Sequence, residues 1–177
     1  IDVQGAALGD PWMDPKNQYD ATELAHSLSI ISHGQMNYLI DQRAKCQKQL
    51  RDGRLSSTTC YRLLDDVIEA STTQGKPKVL MYDARKYVHS TNEFPPGKRE
   101  VERYMNKAEV KRAIHVDESP QRFVECADPP FDALSHQDGK GAMGELATAL
   151  NAGIRVLVYS GQYDLICNHV GTETALR

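Results

Sequence analysis

The chain has 177 residues, 40% of them hydrophobic, and a formal net charge of −3 from 21 Lys and Arg against 24 Asp and Glu. That is enough apolar material for one domain with a real core, and little for an elaborate two-domain enzyme. Interspersed charges of both signs form no basic patch that would neutralise phosphates, which argues against nucleic acid as a partner, and no run nears the roughly 18 apolar residues of a membrane span.

Val3 to Leu8 is a short apolar run stopped by Gly9-Asp10-Pro11, and it reads as a buried strand ending in a turn. Asp20 and Glu23 then resemble a capping box, with Leu24, Leu28 and Ile31 at helical spacing and Gly34 as the expected stop. A second helix is expected over Met36 to Leu50, and a third from Ser56 or Ser57 with Leu64 and Ile68 on its apolar face. Three helices in a row without a strand look like an insertion. Val79-Leu80-Met81-Tyr82 is a brief strand-like run, and Phe94-Pro95-Pro96-Gly97 reads as a loop because proline is excluded from helix interiors.

Asn106 and Glu109 predict a capped helix with Val110, Ala113 and Ile114 as its apolar positions. Three prolines and many small or polar residues make Ser119 to Gly144 read mostly as loop. Glu145 to Ala152 reads as a helix closed by Gly153, and Ile154 to Tyr159 as a strand of strong β propensity. Helix, glycine, strand, loop and helix is the rhythm of a mostly parallel sheet, so the chain reads as α/β at its two ends with helices inserted between them.

In such a sheet the functional groups lie just past the carboxyl ends of strands, which is where Asp164 falls after the run ending at Tyr159. The alternative for Asp164 is a loop aspartate that bonds its own turn. Cys46, Cys60, Cys126 and Cys167 include no Cys-x-x-Cys spacing, so no zinc or redox site is read from them. Cys46 and Cys60 enclose a short loop and could form a disulfide within the helical insertion. Asp164, Cys167 and His169 fall within six residues of one another with no distant ligand, a poor metal template. His26, His33, His89 and His136 are read as residues of the surface or the insertion, and His115 as a helix-end residue.

The run Val156-Leu157-Val158-Tyr159-Ser160-Gly161-Gln162-Tyr163-Asp164-Leu165-Ile166-Cys167-Asn168 resembles the acid-bearing segment of serine carboxypeptidases, which belong to the α/β-hydrolase superfamily. Gly5 to Asp10 with Asp14-Pro15 resembles that family's strand ending in Gly-Asn-Gly and Asp-Pro. Tyr82-Asp83-Ala84-Arg85 resembles its Tyr-Asp-Ile-Arg, and Tyr104 to Val116 its Tyr-Leu-Asn helix ending in Ala-Leu-His-Val. Each motif is weak alone, but four in the family's order are strong.

The resemblance implies a piece of an α/β-hydrolase core, with mostly parallel sheet pieces and a helical cap. Residues 1–15 would be core strand and turn, 16–98 the cap, and 99–177 the return to the core with the acid loop. Asp164 would be the triad acid, orienting a histidine by accepting its ring N–H. Cys167 and Asn168 would lie near the substrate pocket, Cys167 being otherwise a small buried hydrophobe. Cys126 resembles a cysteine whose disulfide partner sits near the start of the enzyme, so it is expected to be unpaired here.

No Gly-x-Ser-x-Gly elbow occurs in these residues. By resemblance the nucleophile is expected before Ile1 and the histidine after Arg177, and His169 lies too close to Asp164 on one loop to serve as the base. The implied activity is hydrolysis of C-terminal peptide bonds through an acyl-enzyme, on a peptide or protein C-terminus, without metal or organic cofactor. A homodimer of the parent enzyme is one option, and a vacuolar, lysosomal or secreted setting follows from the same resemblance. Two rivals stay open: an acyltransferase on the same scaffold, and a non-catalytic interaction module from a truncated gene.

Overall fold

Two strands 150 residues apart in sequence meet side by side: β1 (Gly5–Gly9) pairs in parallel with β4 (Arg155–Tyr159), from Gly5 opposite Arg155 to Gly9 opposite Tyr159. The computed structural model describes residues 3–56, 58–72, 76–89, 97–118 and 121–177. Ser57, Ser119 and the Phe94 to Pro96 part of the expected loop lie outside the described residues. The Val3 to Leu8 run predicts a buried strand, yet β1 is mostly exposed and its partner β4 is open too, with Leu157 61% and Tyr159 57% exposed. Among the described residues the sheet that holds them has only these two strands.

Four helices follow β1: α1 (Pro15–Gln18), α2 (Thr22–Ser27), α3 (His33–Arg51) and α4 (Thr58–Ala70). Pro15 suits the first turn of α1, where its missing N–H has no partner to lose. The single helix expected to run on to Gly34 is broken in two. Ser29 takes a positive φ of 59°, and a capping box restarts the chain at α3: Ser32 Oγ accepts the Gln35 N–H, and the Gln35 side chain accepts the Ser32 N–H. Gly34 therefore lies inside the first turn of α3 instead of closing a helix. Asp20 makes no box with Glu23 either. Its carboxylate accepts the Thr22 N–H at 2.9 Å and an Arg43 N–H at 2.7 Å.

A disulfide between Cys46 of α3 and Cys60 of α4, with Cα atoms 4.9 Å apart, staples these two helices. The hairpin of β2 (Lys78–Leu80) and β3 (Asp83–Val88) comes next, antiparallel, with Met81 and Tyr82 in its turn instead of in a strand. Then come α5 (Lys98–Met105), α6 (Ala108–Ala113) and α7 (Asp128–Leu134). Asn106 caps the end of α5 instead of the start of α6: its amide donates to Glu102 O at 2.7 Å and to Phe123 O at 2.8 Å. Lys107 precedes α6 and makes no side-chain cap. His115, at φ 60°, closes α6 in the left-handed position, and Val116 N–H returns to Lys111 O at 2.9 Å. Helix α7 lies in the stretch that reads as loop, its prolines tolerated because they fall in the first turn.

Helix α8 (Met143–Asn151) is closed by Gly153 at φ 78° and leads into β4, and α9 (His169–Leu176) follows the loop after β4. The buried core sits among α1 to α4 and the hairpin, with Tyr19, Leu24, Leu39, Leu63, Val67 and Val79 at its centre. One residue of the loop after β4 joins it. Leu165 is 1% exposed, and burying a leucine side chain contributes about 1.5–3 kcal/mol.

Candidate active site

The loop from Ser160 to Asn168 is tied down at its start, middle and end by different elements. At its start, Asp10 N–H donates to Tyr159 O at 2.8 Å, and the Asp10 carboxylate accepts the Gly161 N–H at 2.6 Å. Gly161 O in turn accepts the Asp164 N–H at 3.2 Å. The hairpin holds the middle: Ala84 N–H donates to Tyr163 O at 2.9 Å, and Leu165 N–H donates to Met81 O at 2.8 Å. The Arg85 guanidinium lies 4.6 Å from the Tyr163 ring centre and forks onto Asp83 at 2.8 and 3.0 Å. That fork holds the Asp83 carboxyl down to about 2.

The loop ends at Asn168, which is fully buried and caps α9 by accepting the Gly171 N–H at 2.8 Å. Its amide donates to the main-chain carbonyls of Gln18 at 3.2 Å and Asp20 at 3.3 Å. Gln18 is buried beside it. Its amide oxygen accepts the N–H groups of Met13 and Asp14, each at 2.7 Å, and its nitrogen donates to Pro11 O at 2.6 Å and Thr172 Oγ1 at 3.1 Å. Gly171 permits the close approach of α9 to α1, since a Cβ there would stand 2.8 Å from Asn17 O.

Asp164 lies past the carboxyl end of β4 and is 7% exposed. Its Oδ1 accepts two backbone N–H groups, from Ile166 at 2.7 Å and Cys167 at 3.2 Å. Oδ2 makes no hydrogen bond to the described residues and is the atom left to accept one more donor. Burial raises the carboxyl above its ordinary value, the two N–H donors pull it back, and the charge of Asp10 adds to the rise. The turn hydrogen bonds and the strand-end position are therefore both present in one residue.

Cys167 is half-buried, and burial, followed by the charges of Asp164 and Asp10, pushes its thiol up to about 12. It is a neutral thiol at ordinary pH. Cys126 is exposed and is not bonded to Cys167. Leu165 and Ile166, the two residues after Asp164, line a cavity of about 310 Å³ together with Ala21, Tyr61, Leu64 and Phe131. Cys167 follows that lining directly in sequence, while Asn168 is turned wholly inward. His169 opens α9, and among the described residues no group of three His, Cys, Asp or Glu is placed to hold a metal ion.

Sequence reasoning missed three residues that shape this site: Asp10, Gln18 and Arg85. Asp10 and Arg85 fall inside family-like motifs that give neither a role of its own, and Gln18 gives no signal at all, because a single glutamine in a short helix breaks no pattern. A buried Gln can be found only once its four partners are in place.

The sequence matches the serine carboxypeptidase family over residues 1–177. The chain belongs to that family. Among its relatives, the pheromone-processing carboxypeptidase KEX1 of Phytophthora infestans is 33% identical over 178 residues, covering 99% of this chain and 30% of the relative. Serine carboxypeptidase S10 family member 2 of Dictyostelium discoideum is 34% identical over 180 residues, covering 99% of this chain and 32% of the relative. This serine carboxypeptidase chain thus spans about a third of the length of the curated relatives it matches. The crystal structure of Kex1ΔP, a prohormone-processing carboxypeptidase from Saccharomyces cerevisiae, superposes with a TM-score of 0.79 at 20% identity, covering 97% of this chain and 39% of that one. That likeness establishes the fold, an α/β-hydrolase architecture to which this chain contributes a parallel strand pair and the helices described above.

Proposed function

We propose that the protein carrying this chain is a serine-type carboxypeptidase in which Asp164 is the acid of a Ser-His-Asp triad. The observation that carries the reading is the Asp164 carboxylate itself, buried just past β4, fixed through Oδ1 by two backbone donors and open at Oδ2. A carboxylate so held accepts the ring N–H of a histidine, keeps the tautomer that can take a serine proton, and stabilises the imidazolium that forms. Its charge acts strongly because water is excluded around it. On this reading the serine and the histidine are supplied by parts of the protein outside these residues. The serine attacks the C-terminal peptide carbonyl, the last residue leaves as the amine takes the proton, and water then frees the acyl-enzyme.

The apolar cavity whose wall includes Leu165 and Ile166 would take an apolar side chain next to the scissile bond, while residues 16–98 would form the cap above it. Relatives named for processing pheromones and prohormones make peptides with free C-termini the natural substrates, and a secretory setting the natural place for them. The test is release of the last residue from an N-blocked dipeptide by the whole protein. Release should be blocked by a serine-directed phosphonate and lowered about four orders of magnitude by Asp164→Asn. Transfer of the acyl group to an alcohol with no free product in water would make it an acyltransferase. Absence of both turnover and phosphonate labelling would make it a binding module.

A further inference from the structure

Asp10 departs from ordinary backbone geometry in a way that its side chain explains. It stands at the end of β1 with φ 44°, in the left-handed region, where a non-glycine residue is uncommon and Asn and Asp are the better tolerated exceptions. Its N–H closes onto Tyr159 O at the end of β4, so the two strand ends are joined there. This turn aims the carboxylate across to the acid loop, where it accepts the Gly161 N–H at 2.6 Å. Gly161 O then receives the Asp164 N–H. A Cβ built on Gly161 would lie 3.6 Å from Asp10 Oδ1 and 3.9 Å from Asp164 Cβ, so both acidic side chains border the same face of Gly161.

We propose that Asp10 is a positioning residue for Asp164: it anchors the start of the acid loop through Gly161 and sets a second negative charge beside the triad acid. The inference rests on the reading of Asp164 as that acid. Strand pairing and a turn would need no carboxylate in this place, since the backbone bond from Asp10 to Tyr159 already closes the strand ends. The side chain adds a charge-assisted bond to the N–H of Gly161, the residue whose carbonyl accepts the Asp164 N–H, and such bonds are about twice as strong as neutral ones. Displacing a catalytic group by about 1 Å can cost on the order of a hundredfold in rate, so a loop anchor of this kind acts on turnover and not on substrate affinity.

The titratable groups that feel Asp164 from the surrounding elements are Asp10 at the end of β1, Tyr82 in the hairpin turn and Cys167 in the loop itself. Asp10 is the one carboxylate among them. A negative charge raises the pKa of every acid or base near it, so removing it moves the acid limb of activity to lower pH whether that limb reports Asp164 or the histidine it orients.

Two substitutions in the whole protein separate these parts. Asp10→Asn keeps an oxygen acceptor and tolerates the positive φ, but removes the charge. Asp10→Gly keeps the φ without strain and removes the acceptor. On an N-blocked dipeptide, Asp10→Gly should lower kcat about tenfold or more with KM within about twofold. Asp10→Asn should restore the plateau kcat to within about threefold of wild type, with the acid limb of the profile shifted to lower pH. Wild-type kcat and pH profile in Asp10→Gly would overturn the proposal, and so would equal loss in both variants. Asp164→Asn is measured alongside. If it abolishes turnover while Asp10→Gly does nothing, only the anchoring role fails; if it retains turnover, the triad-acid reading fails and the anchoring role with it.

Discussion

Asn168 donates its side-chain amide to the main-chain carbonyl of Gln18 at 3.2 Å, across 150 positions of sequence, and so latches the end of the loop after β4 onto the last residue of α1. The same side chain caps α9 through Gly171 N–H and reaches Asp20 O, all without solvent exposure. Asn168→Ala should destabilise the protein by about 2 kcal/mol or more, because a lost cap costs about 0.5–2 kcal/mol and each carbonyl left unpaired about 1–3 kcal/mol. Asn168→Asp keeps the cap acceptor but gives no donor and buries a charge, so it should melt no higher than the alanine variant. Denaturant unfolding of the three proteins checks this. Two variants as stable as wild type would show that the latch carries no stability.

The Cys46–Cys60 bridge closes a loop of sequence separation 14 between α3 and α4, both cysteines being buried. A crosslink of that span stabilises by about 3 kcal/mol in the chain-entropy account. The double substitution to serine should therefore lower the unfolding midpoint clearly while leaving the Asp164 hydrogen bonds to Ile166 and Cys167, which neither cysteine makes, in place. Because neither sulfur is accessible, mild thiol reductant should leave the bridge intact in the native protein and cut it only in denaturant. Rapid reduction under native conditions would contradict the buried position.

What could be read from sequence was what local chemistry decides. Gly153 after α8 and the β-branched run of β4 are local signals, and both the helix end and the strand lie where they point. Leu28 and Ile31 keep helical spacing past the end of α2, so the sequence overstates that helix, while the competing Ser32 and Gln35 box ends the run. Asn106 has the sequence of an N-cap for α6 but closes α5, since its partner is the main chain of Phe123, 17 residues away. Strand β3 is mostly polar and takes its form from pairing with β2, and α7 was hidden by prolines that its first turn tolerates. The place of Asp164, buried just past β4, was legible from the strand before it. Its supports were not, because Asp10, Gln18 and Asn168 act across about 150 residues of chain.

Cys167 should be an unreactive thiol despite its place in the loop that carries Asp164. With its thiol pushed up to about 12, the thiolate at pH 8 is on the order of one part in ten thousand, and only the thiolate attacks an alkylating agent. Iodoacetamide should modify Cys167 far more slowly in the native protein than after unfolding, as read by mass spectrometry of the peptide that contains it. Removing a nearby charge by Asp164→Asn should speed the native reaction, since Asp164 is one of the groups that holds the thiol protonated. Labelling at the rate of an ordinary exposed thiol would mean that the loop is open where the structure has it closed.

Asp164 should trade stability for function, and the sign follows from its environment. Burial, reinforced by Asp10, raises its carboxyl above the ordinary value of 3.8, and the Ile166 and Cys167 N–H groups only partly offset the rise. A group whose folded pKa exceeds its unfolded one binds more protons in the native state. Its contribution to stability is full below the unfolded value and is lost as pH rises through the folded one. At neutral pH the ionised carboxylate is therefore a cost to the fold. Asp164→Asn is neutral at every pH and keeps an oxygen for the two backbone donors, so it should melt at or above wild type near pH 7. The gap should close as pH falls below the ordinary carboxylate range. Turnover should move the opposite way, falling about four orders of magnitude because an amide cannot hold the required histidine tautomer. Melting curves and turnover for both proteins across pH 3 to 8 test the two halves together, since a purely structural turn aspartate would lose stability on substitution and keep its rate.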